Sequence, residues 1–258
     1  MGKVIAVSNQ KGGVAKTTTS INLGVALARN GKKVLLVDAD PQGHLSTGLG
    51  ISKTTKVTLK TMMEYVIMEM EYDPYEAVIK NDEGVDVIPS NKLLSGTDIS
   101  LITVEERESI LKKYLDTLKT EYDYVVIDCM PSLGMLTVNA MAAADSVLIP
   151  IEPEYYALDG MVELLRVIRN TKKRYNPRIE IEGILFTKDP YWYNSSKEYK
   201  KAVSEAYGKH IKIFEHSIPR SNPIAKCPKD GVSIFAYDKN NPGALGYDWL
   251  AKEVIKNG

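Results

Sequence analysis

Cysteine is scarce in this chain: 258 residues carry two, Cys129 and Cys227, which form no C-x-x-C pair. That argues against a disulfide framework and a chain-internal zinc site, and a reducing cytoplasm is the expected compartment. No apolar run approaches the roughly 20 residues needed to cross a bilayer. The N-terminus reads at once as a strand, not as a signal peptide. An excess of either charge is missing too, since 33 Lys and Arg balance 33 Asp and Glu. A uniformly basic nucleic-acid binder is therefore not expected, but the distribution is uneven. Residues 160–229 hold 15 Lys and Arg against 7 Asp and Glu. Such a bias fits either a solvated face or a basic surface that meets phosphates.

What is present is an alternation of apolar strands and helical patterns. Strands are expected at Val4–Ser8, Val34–Asp38, Val85–Ile88, Tyr124–Asp128, Val147–Ile151 and Ile179–Phe186, with a shorter run around Ile211–Ile218. A helix over Thr17–Asn30 places Ile21, Leu23, Val25 and Leu27 at core spacings, with Gly31 suited to its C-terminal cap. A second helix is expected over Glu105–Lys119. Apolar strands separated by helices predict an α/β fold with a mostly parallel, twisted sheet covered on both faces. No repeat, low-complexity tract or composition break marks a linker, so residues 1–258 read as a single domain.

Ligands in such sheets sit beyond the carboxyl ends of the strands, and three chemically loaded segments fall there. They are "SNQKGGVAKTTTS" after the first strand, "DADPQG" after the second, and "DCMPS" after "YVVI". Taken singly, each has a plain reading: glycines make turns, and strand-end aspartates cap helices. Together at one sheet edge they specify a triphosphate and Mg²⁺ site. Backbone N–H groups from Gly13 to Thr17 can cradle phosphate oxygens at a helix N-terminus. Lys16 supplies a point charge to the outer phosphates and Thr17 a hydroxyl to Mg²⁺. Asp128 is placed to hold the metal through water. The loop nevertheless fails the G-x-x-x-x-G-K-[ST] rule, because Gln10 and Ala15 stand where glycines belong.

"KGGVAKTT" instead resembles the deviant phosphate loop K-G-G-x-x-K-[ST] of the ParA/MinD family of P-loop ATPases. The resemblance runs through "VLLVDADPQGHLSTGLG", "YDYVVIDCMPSLG", "NAMAAADSVLIPIEPEYYALDG", "GILFT" and "SIPR", in that order. It is most specific to the short Soj-like ParA group. With the first strand starting at residue 3 or 4, no N-terminal helix-turn-helix domain is expected. The resemblance implies that Lys11 reaches across a two-fold interface to the partner's ATP, so that ATP binding and homodimerisation are one linked event. It implies that Asp40 orients the attacking water, that Asp38 is its companion near the metal, and that "PQG" is a mobile switch. Lys11, Gly12, Gly13, Val14, Ala15, Lys16, Thr17 and Thr18 form the nucleotide-binding loop in this reading. Thr187, Pro219 and Arg220 are the residues expected near the adenine. Ala15 replaces the glycine usual in the group, and its Cβ is tolerable if the backbone stays at φ < 0.

Relatives on this fold differ in what the ATP-driven dimer acts on. MinD-like proteins end in a basic amphipathic helix that lies on membranes; here Trp249, Leu250 and Val254 of "YDWLAKEVIKNG" read as a packing stripe. Iron–sulfur carriers need paired cysteines, and small-molecule ligases lack the signature lysine. The resemblance thus implies a slow, Mg²⁺-dependent ATPase that binds double-stranded DNA without sequence preference, is reset by a ParB-like partner, and is cytoplasmic and nucleoid-associated. Other cargo-positioning roles stay open. Two arginines that the Soj-like group places on DNA fall here at Trp192 and Pro223. Substitute cations are Lys197, Lys200 and Lys201 on one helix, then Arg220, Lys226 and Lys229. The aromatic cluster Tyr191–Tyr193 reads first as packing.

Overall fold

The computed structural model describes residues 2–154, 157–190 and 194–257. Seven strands form one sheet: β1 (Lys3–Val7), β2 (Val34–Ala39), β3 (Ile79–Lys80), β4 (Asp86–Ile88), β5 (Tyr124–Cys129), β6 (Ser146–Ile151) and β7 (Glu180–Phe186). Their order across the sheet is β3-β4-β2-β5-β1-β6-β7. Every pairing is parallel except that of β3 with β4. Helices fill the connections. They are α1 (Lys16–Arg29), α2 (His44–Gly48), α3 (Leu59–Ile67), α4 (Thr97–Ser100), α5 (Ile110–Asp116), α6 (Met135–Ala143), α7 (Ala157–Arg174), α8 (Asn194–Tyr207), α9 (Asn222–Lys226), α10 (Ile234–Tyr237) and α11 (Pro242–Asn257).

Period-two alternation along the strands builds a core on each face of the sheet. Ile5 and Val7 of β1 and Val34 and Leu36 of β2 join α1, α10 and α11 on one face. Val4 and Ala6, with Leu35 and Val37, point to α3, α5 and α6 on the other. Ile21, Leu23, Val25 and Leu27 are all buried on α1, although their two-residue spacing puts them on opposite sides of it, because the helix is enclosed all round from Thr19 to Leu27. Gly31 follows that helix at φ +79°, the left-handed residue that ends it. Gly24, inside α1, lets the helix approach β2: a Cβ there would lie 2.4 Å from Leu36 Cδ2.

Three sequence expectations are corrected. The run around Ile211–Ile218 forms no strand; it pairs with β7 through an isolated bridge from Ile184 to Ile213 and a hydrogen bond from the Ile218 N–H to the Phe186 carbonyl at 2.8 Å, and Asp189 and Pro219 form a second isolated bridge just beyond. The run lacks a strand's period-two alternation, since Glu215, His216 and Ser217 follow one another, and with Lys212 they break the apolar content a buried strand needs. The Glu105–Lys119 helix shrinks to Ile110–Asp116, preceded by a short 3₁₀ turn at Arg107–Ser109. The terminal stripe is divided: Leu250 and Val254 are buried, but Trp249 is 43% exposed and packs on His216 with ring centroids 4.2 Å apart. The cluster Tyr191–Tyr193, Trp192 included, lies outside the described residues. Among the described residues no helix is long and apolar enough to cross a membrane.

Candidate functional site

The carboxyl ends of β1, β2 and β5 lie side by side at the middle of the sheet, with Asp38 in register with Asp128 and Val7 also paired with Asp128. Those three strand ends deliver the phosphate loop, the Asp38–Gly43 segment and the Asp128–Ser132 segment to one place. The parallel topology is what makes sequence-distant residues neighbours here.

Between β1 and α1 the loop is shaped by its backbone. Gly13 sits at φ +79° and Ala15 at φ +64°. The condition of a negative φ at Ala15 is therefore not met: the residue before α1 is left-handed, at a steric cost of about 1–2 kcal/mol. A Cβ on Gly12 or Gly13 would meet nothing within 4 Å. These glycines are thus not needed for packing, and their bare surface leaves room for ligand atoms to approach the loop amides.

Lys16 is 6% exposed. Burial lowers its pKa, against the opposing pull of Asp128, Cys129 and Asp40. Its Nζ donates to the Lys11 carbonyl at 2.9 Å, so the amine lies across its own loop. The Lys11 N–H donates to Asn9 Oδ1 at 3.0 Å, and Asn9 Nδ2 donates to the Pro150 carbonyl at 2.8 Å. That pair ties the loop to β6. Lys11 Nζ forms an ion pair with Glu154, just beyond β6, and both side chains are partly exposed. Val14 is buried, and its carbonyl lies 3.0 Å from Thr187 Oγ1, which is also 3.2 Å from the Ile151 carbonyl. Thr187 is fully buried, so its hydroxyl serves the loop backbone and is not displayed to a base. Pro219 is buried and Arg220 exposed.

The carboxylates differ in what occupies them. Asp38 is saturated: Oδ2 accepts from the Ser46 N–H at 2.9 Å and its hydroxyl at 2.6 Å, and Oδ1 from the Asp40 N–H at 3.2 Å. Burial pushes its pKa up to about 6, and those hydrogen bonds hold it back. Asp40 accepts from the Gln42 N–H at 2.9 Å. Asp128 is fully buried; Oδ1 accepts from Ser20 Oγ at 2.9 Å, but Oδ2 has no hydrogen-bond partner. Burial, then the nearby Asp38 charge, push its pKa up to about 8, opposed by the hydroxyls of Thr17 and Ser20. An orphaned carboxylate oxygen facing a threonine hydroxyl under a phosphate loop fits a hard, oxygen-seeking cation such as Mg²⁺. Asp128 and Thr17 have the chemistry to hold such an ion, whereas Asp38 already accepts three hydrogen bonds. A cavity of about 280 Å³ opens beside Thr17 and Thr18, bounded by His44, Thr47 and Pro228.

The cations expected on DNA divide into two kinds. Lys197 and Lys201 are exposed one turn apart on α8, and Arg220, Lys226 and Lys229 are exposed around α9. Lys200 is instead turned inward, with Nζ 2.7 Å from Asp189 Oδ2. It belongs to the molecule's own hydrogen-bond framework. Sequence reading missed Asn9, Ser20, Ser46, Glu154 and Asp189. Ser46 had a local signal, a serine in the first turn after "DADPQG"; Asn9, Ser20 and Glu154 act through partners more than 100 residues away, and Asp189 through Ser196, Lys200 and Ser217 on two later segments.

Residues 2–181 match the AAA_31 family model, described as an AAA domain. The sporulation initiation inhibitor protein Soj of Bacillus subtilis is 43% identical over 262 residues, covering all of both chains. The chromosome partitioning protein ParA of Caulobacter vibrioides is 42% identical, covering 98% of this chain and 94% of its own. Among solved structures, cobyrinic acid a,c-diamide synthase of Mycobacterium smegmatis with bound ADP and magnesium superposes with a TM-score of 0.87. It is 33% identical, over 100% of this chain and 95% of that one.

Proposed function

This chain belongs to the ParA/MinD family of P-loop ATPases, within its Soj-like partition branch, and from that we propose that residues 1–258 form one ATP-driven DNA partition switch. The observation that carries the reading is the open Gly12–Gly13 loop, which brings Lys16 and the unpartnered oxygen of Asp128 together. Bound Mg²⁺–ATP supplies the phosphoryl group and the charge that polarises it. The chain supplies positioning, which is most of what phosphoryl transfer asks of a protein. Loop N–H groups and Lys16 hold the phosphates, Thr17 and Asp128 hold the metal, and Asp40 orients the attacking water. Asp38 fixes the switch segment through Ser46.

Lys11 gives the site its second role. To reach the phosphates of a partner subunit it must leave Glu154, so nucleotide exchanges one counter-charge for another as two subunits close. The ATP-bound homodimer then offers the exposed cations of α8 and α9 to double-stranded DNA, and a ParB-like protein stimulates hydrolysis and release. Nucleoid association follows from that binding. The adenine is expected near Pro219 and Arg220, with Thr187 acting from behind the loop.

A second reading is a small-molecule amide ligase, favoured by the likeness to the cobyrinic acid enzyme. Lys11, held by Asn9 and Glu154 beside the loop, favours partition instead. ATP turnover with and without non-specific DNA, at two salt concentrations, separates the two. The partition reading expects DNA binding that requires ATP and weakens steeply with salt. Turnover indifferent to DNA would replace it with the ligase.

A further inference from the structure

Thr187 and Asp189 lie just beyond β7, two residues apart, and each holds a different part of the molecule. Thr187 reaches the Val14 carbonyl of the phosphate loop at 3.0 Å. Asp189 is 1% exposed, and its carboxylate accepts three hydrogen bonds from two other segments. Ser196 Oγ donates to Oδ1 at 2.6 Å, and Lys200 Nζ and Ser217 Oγ each donate to Oδ2 at 2.7 Å. The main chain adds to this: the Asp189 N–H donates to the Ile218 carbonyl at 2.9 Å, and its own carbonyl accepts from the Arg220 N–H at 3.2 Å. Ser196 and Lys200 are on α8, and Ser217–Arg220 is the segment that carries Arg220. Burial would raise the Asp189 pKa, but Lys200, Ser196 and Ser217 outweigh it and hold the carboxyl below its ordinary value. Lys188, between the two anchors, is left-handed at φ +50°. A bulky residue keeps such a conformation where its neighbours over-determine it.

Resting on the partition reading, we propose that Asp189 is a positioning residue for the DNA-contact surface, holding α8 and Ser217–Arg220 in register with the phosphate loop through Thr187. Lys200 is then the counter-ion of Asp189 and touches no phosphate, in contrast to Lys197 and Lys201. Its stem lies along the Phe186 ring, with Nζ 5.8 Å from the centroid, which fixes it further. Nucleotide that rearranges the loop carbonyl at Val14 is transmitted to both DNA-facing segments over a three-residue path.

Two measurements test this. The first follows ATP-dependent binding of non-specific DNA across salt for Lys200→Met and Lys201→Met. Removing one lysine that neutralises a DNA phosphate reduces the log–log salt slope by about 0.9. Lys201→Met removes two lysines from the homodimer and should reduce the slope by about 1.8. Lys200→Met should lose roughly fivefold in affinity at every salt, the worth of about 1 kcal/mol, with the wild-type slope. A reduced slope for Lys200→Met, or wild-type affinity, overturns the proposal. The second needs no DNA: amide hydrogen exchange with and without a non-hydrolysable ATP analogue, in wild type and Asp189→Asn. Wild type should respond in the phosphate loop and in α8; Asp189→Asn should respond in the loop alone. If that variant does not fold, Asp189→Asn/Lys200→Met, which removes both charges of the pair, takes its place. An α8 that ignores the analogue in wild type, or follows it in the variant, overturns the proposal. If wild type binds no DNA at all, the partition reading fails, and the exchange experiment still decides the role of Asp189.

Discussion

Ala15 shows how one side chain can sit against the backbone that its position demands. At φ +64° it occupies the left-handed region, where a Cβ costs about 1–2 kcal/mol, less what alanine regains by restricting the unfolded chain. Ala15→Gly should therefore raise stability in denaturant unfolding by roughly 0.5–1 kcal/mol. A loss of stability would show that Ala15 is unstrained. Lys11 and Asp40 separate binding from chemistry. Asp40→Ala should stop turnover but leave the phosphate and interface contacts, so that ATP-bound dimers accumulate on DNA. Lys11→Ala should still bind ATP through Lys16 yet stay monomeric, because two desolvated triphosphates would face each other with less compensation. Sedimentation with ATP checks both, and matching oligomeric states would contradict the two-subunit site.

At the scale of elements, helix ends and strand ends carry the function. The short helix α2 is held by Asp38, whose carboxylate takes two donors from Ser46 in its first turn, so the segment after β2 is tied back to that strand's end. Helix α8 has two differently used faces, one exposing Lys197 and Lys201 and the other turned to Asp189 through Ser196 and Lys200. Lys197→Glu/Lys201→Glu should weaken ATP-dependent DNA binding and flatten its salt slope while ATP-driven dimerisation survives. Binding unchanged by the pair would assign the contact to Arg220, Lys226 and Lys229, with α8 merely solvated.

For the whole molecule, the central carboxylates make stability depend on pH and metal. Asp38 is raised to about 6 and Asp128 to about 8, burial being the main cause for each. An acid whose folded pKa is raised contributes stability that is full below its unfolded value, about 4, and is lost as pH rises through the folded one. The nucleotide-free protein should accordingly lose stability between about pH 4 and pH 8. Mg²⁺ with nucleotide should flatten that decline, since both bind the ionised site of the native state. Thermal unfolding across pH, with and without Mg²⁺–ATP, checks it; a nucleotide-free protein that gains stability toward pH 8 would refute the assignment of these two acids as the dominant buried charges.

Sequence alone determined the elements whose signal is local. Five-to-seven-residue apolar runs such as "VLLVD" and "YVVID" must be buried strands, and Ile21, Leu23, Val25 and Leu27, spaced two apart, fall on both sides of a helix that is buried all round from Thr19 to Leu27. The order of loop, "DADPQG" and "DCMPS" along such strands was enough to place Lys16, Thr17, Asp40 and Asp128 at one sheet edge, because parallel strands share a carboxyl end. Tertiary structure decided everything that depends on a partner. The two-residue antiparallel edge β3 is too short to carry a period, and the Ile211–Ile218 run failed as a strand because it found only single bridges to pair with. That Ser46 fills Asp38 while Asp128 Oδ2 has no hydrogen-bond partner was decided by the fold alone. Which lysine faces outward was settled by Asp189. Hydrophobic periodicity is written along the chain, whereas a buried polar atom is satisfied by whatever the fold brings within about 3 Å of it, and that neighbour has no fixed distance in sequence.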